Sequence, residues 1–171
     1  RSVGRLKGGD PLLFGRLGEE KQILVRHGIA FEVINGITSA LRSCTVSGIV
    51  PTIRDISKGV SIVSAHLRET LFNDEWIPLI RQPLHTVIVL MAHSFAKKIE
   101  DAIAKEGIDE NLPAAFVSKI DLPDQVTIVG TVGKLDKMST LCATPAVLII
   151  GECVAKENIV PAENSGKIIY I

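Results

Sequence analysis

Three strand-to-helix junctions hold the residues with chemistry to offer. The first is "RLKGGDPLLFGR", Arg5 to Arg16. Gly8 and Gly9 lack Cβ atoms and let backbone come close to a ligand. Asp10 adds a carboxylate that accepts hydrogen bonds from a ligand amine, a ligand hydroxyl or backbone N–H groups. Pro11 suits the first turn of a helix. The same residues also make a tight turn with a plain N-cap, and local chemistry leaves both open. No GK[ST] follows, so this is not a Walker loop, and the GxGxxG dinucleotide fingerprint is missing. The second junction is "NGITSA", Asn35 to Ala40. Thr38 and Ser39 bring hydroxyls to a helix N-terminus, where free backbone N–H groups attract an anion such as a carboxylate; they serve equally as caps. The third is "IVLMAHS". Met91 ends a buried strand, which puts a flexible thioether either in the core or where a strand-end cleft would lie. His93 follows, able to cap or to face that cleft. Together the three junctions are expected to line one cleft.

The elements that must position them alternate along the chain. "SVGRLK" reads as the end of a strand and "LGEEKQILVRHG" as a helix, with acids in its first turn and His27-Gly28 at its end. "IAFEVI" reads as a short strand. "NGITSALRSCTVSG" sets Ile37, Ala40, Leu41 and Cys44 at helical spacing, with Gly48 as the stop. "IVPTIRDISKG" has no clear period and reads as a linker, so a boundary is expected near Ser57. "VSIVSAH" and "HTVIVLM" are strands, the second of the fully buried type, with "DEWIPLI" between them as a short helix or turn. "SFAKKIEDAIAKEG" is an amphipathic helix with Phe95, Ile99, Ala102 and Ile103 on one stripe, closed by Gly107. "PAAFVSKI" and "QVTIVGTV" are strands joined by the turn-rich "DLPD". "GKLDKMSTLC" is helical, "PAVLIIGECV" is a final buried strand, and the tail ends in one more apolar patch. This order predicts α/β layers, whose sites collect beyond the C-terminal ends of strands.

Apolar residues make up 46% of the 171 and charged residues 22%, enough for a core and far from the disordered class. Lys plus Arg and Asp plus Glu both number 19, so nothing points to nucleic acid or an anionic membrane. No apolar run approaches the ~20 residues of a membrane helix. Cys44, Cys142 and Cys153 are odd in number and widely spaced. They fit reduced, buried thiols of a cytoplasmic protein better than a disulfide framework or a metal knuckle. His27, His66 and His85 have no Cys or Asp at ligand spacing, so no metal is expected.

"RLKGGDPLLFGRLGEE", followed by "FEVINGITSA" and "SGIVPTIRD", resembles the tetrapyrrole methylase family. Within it the likeness is strongest to the uroporphyrinogen-III C-methyltransferases, as free enzymes or as the methylase half of siroheme synthase. "TVIVLMAHS", "LPAAFVSKI" and "PAVLIIGECVA" fit the family in the same order, and the likeness runs over residues 3 to 155. It implies a two-domain α/β fold. Residues 1–56 would complete an otherwise incomplete first domain, and 57–171 would be a second, complete α/β domain with a mixed sheet. It implies S-adenosylmethionine (SAM) as methyl donor, held by Gly8, Gly9, Asp10, Leu13, Thr38, Ser39, Met91 and Ala115. The family's later donor-contacting glycine falls near Ile120 and is not carried over. Arg16, Arg42 and Arg54 are candidate partners for the carboxylates of an acidic macrocycle. The family's opening strand and proposed acid–base residues would lie upstream of Arg1, so no catalytic residue is named and the chain is expected to be truncated. It departs from the family's usual pattern at Leu17, Asn35, Ile53 and Ala65, and at "MAH" where "MGL" is usual.

The function the resemblance implies is SAM-dependent methylation of uroporphyrinogen III to precorrin-2, on the route to siroheme and cobalamin, by a cytoplasmic homodimer without a metal. Two other readings stand beside it: a sibling methylase of a later corrin intermediate or of a non-tetrapyrrole substrate, and a non-catalytic module that binds ligand or dimerises.

Overall fold

The computed structural model describes residues 2–67, 71–163 and 165–171. Two helices come first, α1 (Leu17–Arg26) and α2 (Ser39–Ser47). Then follow β1 (Gly59–Ser64), β2 (His85–Leu90), α3 (Ala96–Lys105), β3 (Pro113–Ser118), β4 (Val126–Thr131), α4 (Leu135–Thr140), β5 (Ala146–Ile150) and β6 (Lys167–Tyr170). The strands make one mixed sheet in the order β1-β2-β5-β3-β4-β6. The two outer pairs, β1–β2 and β4–β6, run parallel, and the three inner pairings are antiparallel.

Side chains alternate between the two faces of a strand, and each face has its own core. Val87, Val89, Phe116, Leu148 and Ile150 point to one side, where Ile99 and Ile103 of α3 and Leu135 and Met138 of α4 cover them. Ile88, Ala115, Val117, Val147 and Ile149 point to the other, against Ala40, Cys44 and Val46 of the α2 segment and Cys153 and Val154. Burial on both faces is why these strands read as unbroken apolar runs.

α2 is defined at both ends by its own sequence. Thr38 is extended and its hydroxyl accepts from Ala40 N at 3.3 Å. Gly48 closes the helix in the left-handed region, where a side chain would run into the Val160 carbonyl. The helix settles on the sheet through small residues, with Ala40, Ser43, Cys44 and Ser47 buried. Ile37 and Leu41, expected on that same face, are exposed.

The segment before α2 departs from expectation. Residues 2–7 and 29–34 read as strands, yet they pair with no strand among the described residues. Alternation gives a chain the right surface for a sheet, but a ladder needs a neighbour. Val3, Leu6 and Ile34 stand exposed, and α1 buries no side chain. Ion pairs tie the opening residues to α1 instead: Glu20 meets Lys7 at 2.6 Å and Arg5 at 3.3 Å. At the other end, the apolar tail patch is a strand, β6, paired along β4 from Val126↔Lys167 to Val129↔Tyr170.

Candidate functional site

β1, β2 and β3 run the same way and end at one edge of the sheet, where antiparallel β5 begins. The peptide groups and side chains beyond those ends form a cleft of about 760 Å³, within the size range of small-molecule sites. Its sheet side is built from Leu90 at the end of β2 and Met91 just after it, Ile120 and Asp121 after β3, and Pro145 before β5. Its opposite side is built from Gly8, Gly9, Leu13 and Phe14 and from Ile37, Ser39 and Arg42 at the start of α2. The three junctions singled out in the sequence therefore meet around one space.

The glycines of the first junction differ in what they do. A Cβ on Gly8 would meet no atom within 4 Å, so the fold leaves that space open. Gly9 has φ 72°, the left-handed region that suits glycine. Asp10 spends its carboxylate on the two loops. One oxygen accepts from Leu12 N at 2.8 Å, the other from Gly36 N at 3.2 Å and Asn35 Nδ2 at 3.5 Å. Gly36 allows this approach, because a Cβ there would fall on the Gly9 carbonyl.

Met91 holds φ 58°, in the left-handed region, and is 47% exposed. An unbranched L-residue held there at a strand end is strained, and such strain gathers at ligand sites. His93 lies on the same wall. Its Nε2 is 3.1 Å from Ser139 O and 3.0 Å from Cys142 O. Two carbonyl acceptors require the proton on Nε2. Arg42 reaches across the cleft to Asp121: its Nε donates at 2.8 and 3.1 Å and its Nη2 at 2.5 Å. The guanidinium holds the Asp121 carboxyl below the usual carboxylate range.

Of the residues expected to hold a methyl donor, Gly8, Gly9, Leu13, Ser39 and Met91 line the cleft. Asp10 and Thr38 stand just behind the wall as loop tie and helix cap. Ala115 is fully buried in the core and is not on the wall. Among the candidate arginines only Arg42 lines the cleft. Arg16 pairs with Glu19 at 2.6 Å on the surface, and Arg54 is exposed elsewhere. Ile120, where the family's glycine match was not carried over, lines the cleft; Asp121 on the wall and Gly36 behind it are residues that sequence reasoning passed over. "NG" was the available signal for Gly36, whereas Asp121 looked like an ordinary turn residue. No group of three metal-ligating side chains occurs among the described residues, and no helix there is long and apolar enough to cross a membrane.

Comparison with known proteins agrees with this fold. The profile of the tetrapyrrole (corrin/porphyrin) methylases matches residues 1–136. Siroheme synthase of Thiobacillus denitrificans is 38% identical over 152 residues, covering 88% of this chain and 32% of its own length. Siroheme synthase of Chromobacterium violaceum is 41% identical over 156 residues, covering 90% and 33%. The chain thus spans about a third of the curated relatives it matches. In structure it is similar to uroporphyrin-III C-methyltransferase of Thermus thermophilus, solved with S-adenyl homocysteine. The TM-score is 0.77 at 35% identity, over 89% of this chain and 66% of that one. A cobalt precorrin-4 methyltransferase shares the fold, with a TM-score of 0.77 at 23% identity. With the matched profile running over most of the chain and through all three junctions that meet at the cleft, the chain belongs to the tetrapyrrole (corrin/porphyrin) methylase family.

Proposed function

We propose that this chain forms the methyl-donor cleft of a SAM-dependent C-methyltransferase that converts uroporphyrinogen III to precorrin-2. The observation that carries the proposal is the convergence of Gly8–Gly9, Ser39 and Met91 on one cleft at the strand ends. The wall fits a sulfonium nucleoside. Gly8 offers backbone with open space before it. Ser39 brings a hydroxyl and the free N–H groups of the α2 N-terminus, suited to a carboxylate. Leu13, Ile37 and Ile120 are apolar, and Met91 adds a polarizable thioether. When bound, SAM supplies an electrophilic methyl group. The chain's share is positioning, which in such a transfer is most of the catalytic task. Arg42 is the wall residue placed to meet a macrocycle carboxylate. A cytoplasmic homodimer using no metal belongs to the same proposal.

A second reading, ligand binding without turnover, is favoured by one observation: residues 2–38 add no strand to the sheet and α1 buries no side chain. That wall is held by loops. Two measurements separate the readings. S-adenosylhomocysteine at a hundred times its Kd stabilises a specific binder by about 2.7 kcal/mol, about 5–10 °C in thermal midpoint for a chain of this size. No shift refutes both. Incubation with SAM and uroporphyrinogen III then gives a product heavier by one or two methyl groups under the first reading and unchanged substrate under the second.

A further inference from the structure

We infer that Asp121 governs which anions the cleft admits, by competing with a ligand carboxylate for the Arg42 guanidinium. The inference rests on the reading above for its ligand class, a polycarboxylate macrocycle. Among the described residues that line the cleft, Arg42 is the only Lys or Arg and Asp121 the only Asp or Glu. A carboxylate entering this space therefore finds one permanent cation, already engaged in a fork with a carboxylate of the protein.

The pair is built to exchange rather than to hold. The Arg42 side chain is 39% exposed and that of Asp121 52%, so water reaches both partners and their attraction is weak. Arg42 sits on α2, whereas Asp121 lies in the loop between β3 and β4. Asp121 does not depend on Arg42 for its place. Its N–H donates to Gln125 Oε1 at 2.8 Å, and Gln125 Nε2 donates to Ser165 O at 3.2 Å. Its φ of 61° lies in the left-handed region, which Asp tolerates better than most L-residues. A ligand carboxylate that takes the guanidinium thus leaves Asp121 fixed beside it, and the two like charges repel. Asp121 makes the wall neutral toward small zwitterions and sets a threshold that an incoming anion must exceed.

Uroporphyrin III, a fluorescent octacarboxylate, serves as probe, titrated at fixed ionic strength against the parent chain, Asp121→Asn, Arg42→Gln and the double variant. Asn keeps the shape and the left-handed tolerance of Asp without its charge. Asp121→Asn is expected to tighten uroporphyrin binding about three- to tenfold, Arg42→Gln to weaken it, and the gain to vanish in the Arg42→Gln background. Asp124→Asn, in the same exposed loop, should change it less than twofold. Hydrogen exchange of the β2 and β3 amides and the far-UV circular dichroism, unchanged throughout, report that each variant is folded. Should Arg42→Gln fail to fold, Arg42→Lys takes its place; it keeps the charge, loses the fork, and should shrink the gain. Unchanged or weaker uroporphyrin binding by Asp121→Asn overturns the inference, as does an equal gain without Arg42 or with Asp124→Asn. No uroporphyrin binding beside normal S-adenosylhomocysteine binding overturns it while leaving the donor reading standing. Failure of S-adenosylhomocysteine binding with the cycle intact does the reverse.

Discussion

Gly8 belongs to the first junction and Gly36, packed against the Gly9 carbonyl, to the second; replacing each with alanine should separate ligand chemistry from folding. At Gly8 the added methyl meets nothing of the protein within 4 Å. Its φ is outside the left-handed region, so the backbone tolerates alanine. Stability should stay within about 0.5 kcal/mol of the parent. Gly8 lines the cleft, so under the proposed function the methyl would take up space that a closely approaching ligand needs. Forcing one extra carbon into a filled site costs about 1–3 kcal/mol, so S-adenosylhomocysteine affinity should fall roughly 5- to 150-fold. At Gly36 the same methyl falls on the Gly9 carbonyl and within 2.9 Å of its carbon. Backbone cannot swing aside as a long side chain can. The loops must part, at a cost of about 1–3 kcal/mol, and Asp10 loses its grip on Gly36 N.

Because residues 2–38 lie outside the sheet, the damage from Gly36→Ala should be local. Hydrogen exchange is the suitable measurement, since regions of one protein open with different free energies. The amides of Leu12 and of residue 36, both bonded to Asp10, should exchange roughly 5- to 150-fold faster, with strand amides of β2 and β3 unchanged. Gly8→Ala should leave all of these amides as they are. Parental ligand affinity in Gly8→Ala would refute the idea that bare backbone at residue 8 meets the ligand. Faster exchange at Leu12 in Gly8→Ala would show that both glycines serve only the turn.

Two further outcomes follow from strain and burial. Met91→Gly removes a left-handed L-residue, a strain of about 1–2 kcal/mol, partly offset by the added freedom of glycine in the unfolded chain. The thermal midpoint should hold or rise while S-adenosylhomocysteine affinity falls, and a clear drop in midpoint would mean that the side chain is core after all. Burial pushes the Cys44 and Cys142 thiols up to about 11 from an ordinary 9.0. Iodoacetamide at pH 7 should therefore label the folded chain far more slowly than the denatured one. Both groups titrate higher folded than unfolded, so their contribution is complete below pH 9 and is lost as pH rises through about 11. A thermal midpoint that stays flat across that interval would count against buried thiols.

The parts of the fold legible in the sequence are those whose signal is local. β2, β3 and β5 announce themselves as apolar runs because both their faces are covered. α3 shows its stripe because only one of its faces is. Residues 29–34 carry an equally good strand pattern and form none, since a pattern reports the surface a segment offers and not whether a neighbour is there to pair. β6 was hidden for the opposite reason: Lys167 to Tyr170 is short, with exposed ends, and β4 makes it a strand. On α2 the spacing allowed Ile37 and Leu41 to be core. The sheet took Ala40 and Cys44 because small side chains let the helix come close.

The site was legible where chemistry and geometry need the same residue, and illegible where one residue type serves several ends. Asp in a turn can cap, tolerate a left-handed backbone or present charge to a ligand. Asp121 does the second and pairs with Arg42, which only the partner, 79 positions earlier, reveals. Asp10 shows the converse. Its carboxylate looks like the chemical centre of "GGDP", yet it accepts from Leu12, Asn35 and Gly36. By tying both loops it holds in place Gly8, Gly9 and Ser39, which line the same space. Under the proposed function, the acid of the motif would act on the ligand through the groups it positions. Asp10→Asn should therefore loosen the loops, and speed exchange at Leu12 and Gly36, before it alters any direct contact with the ligand.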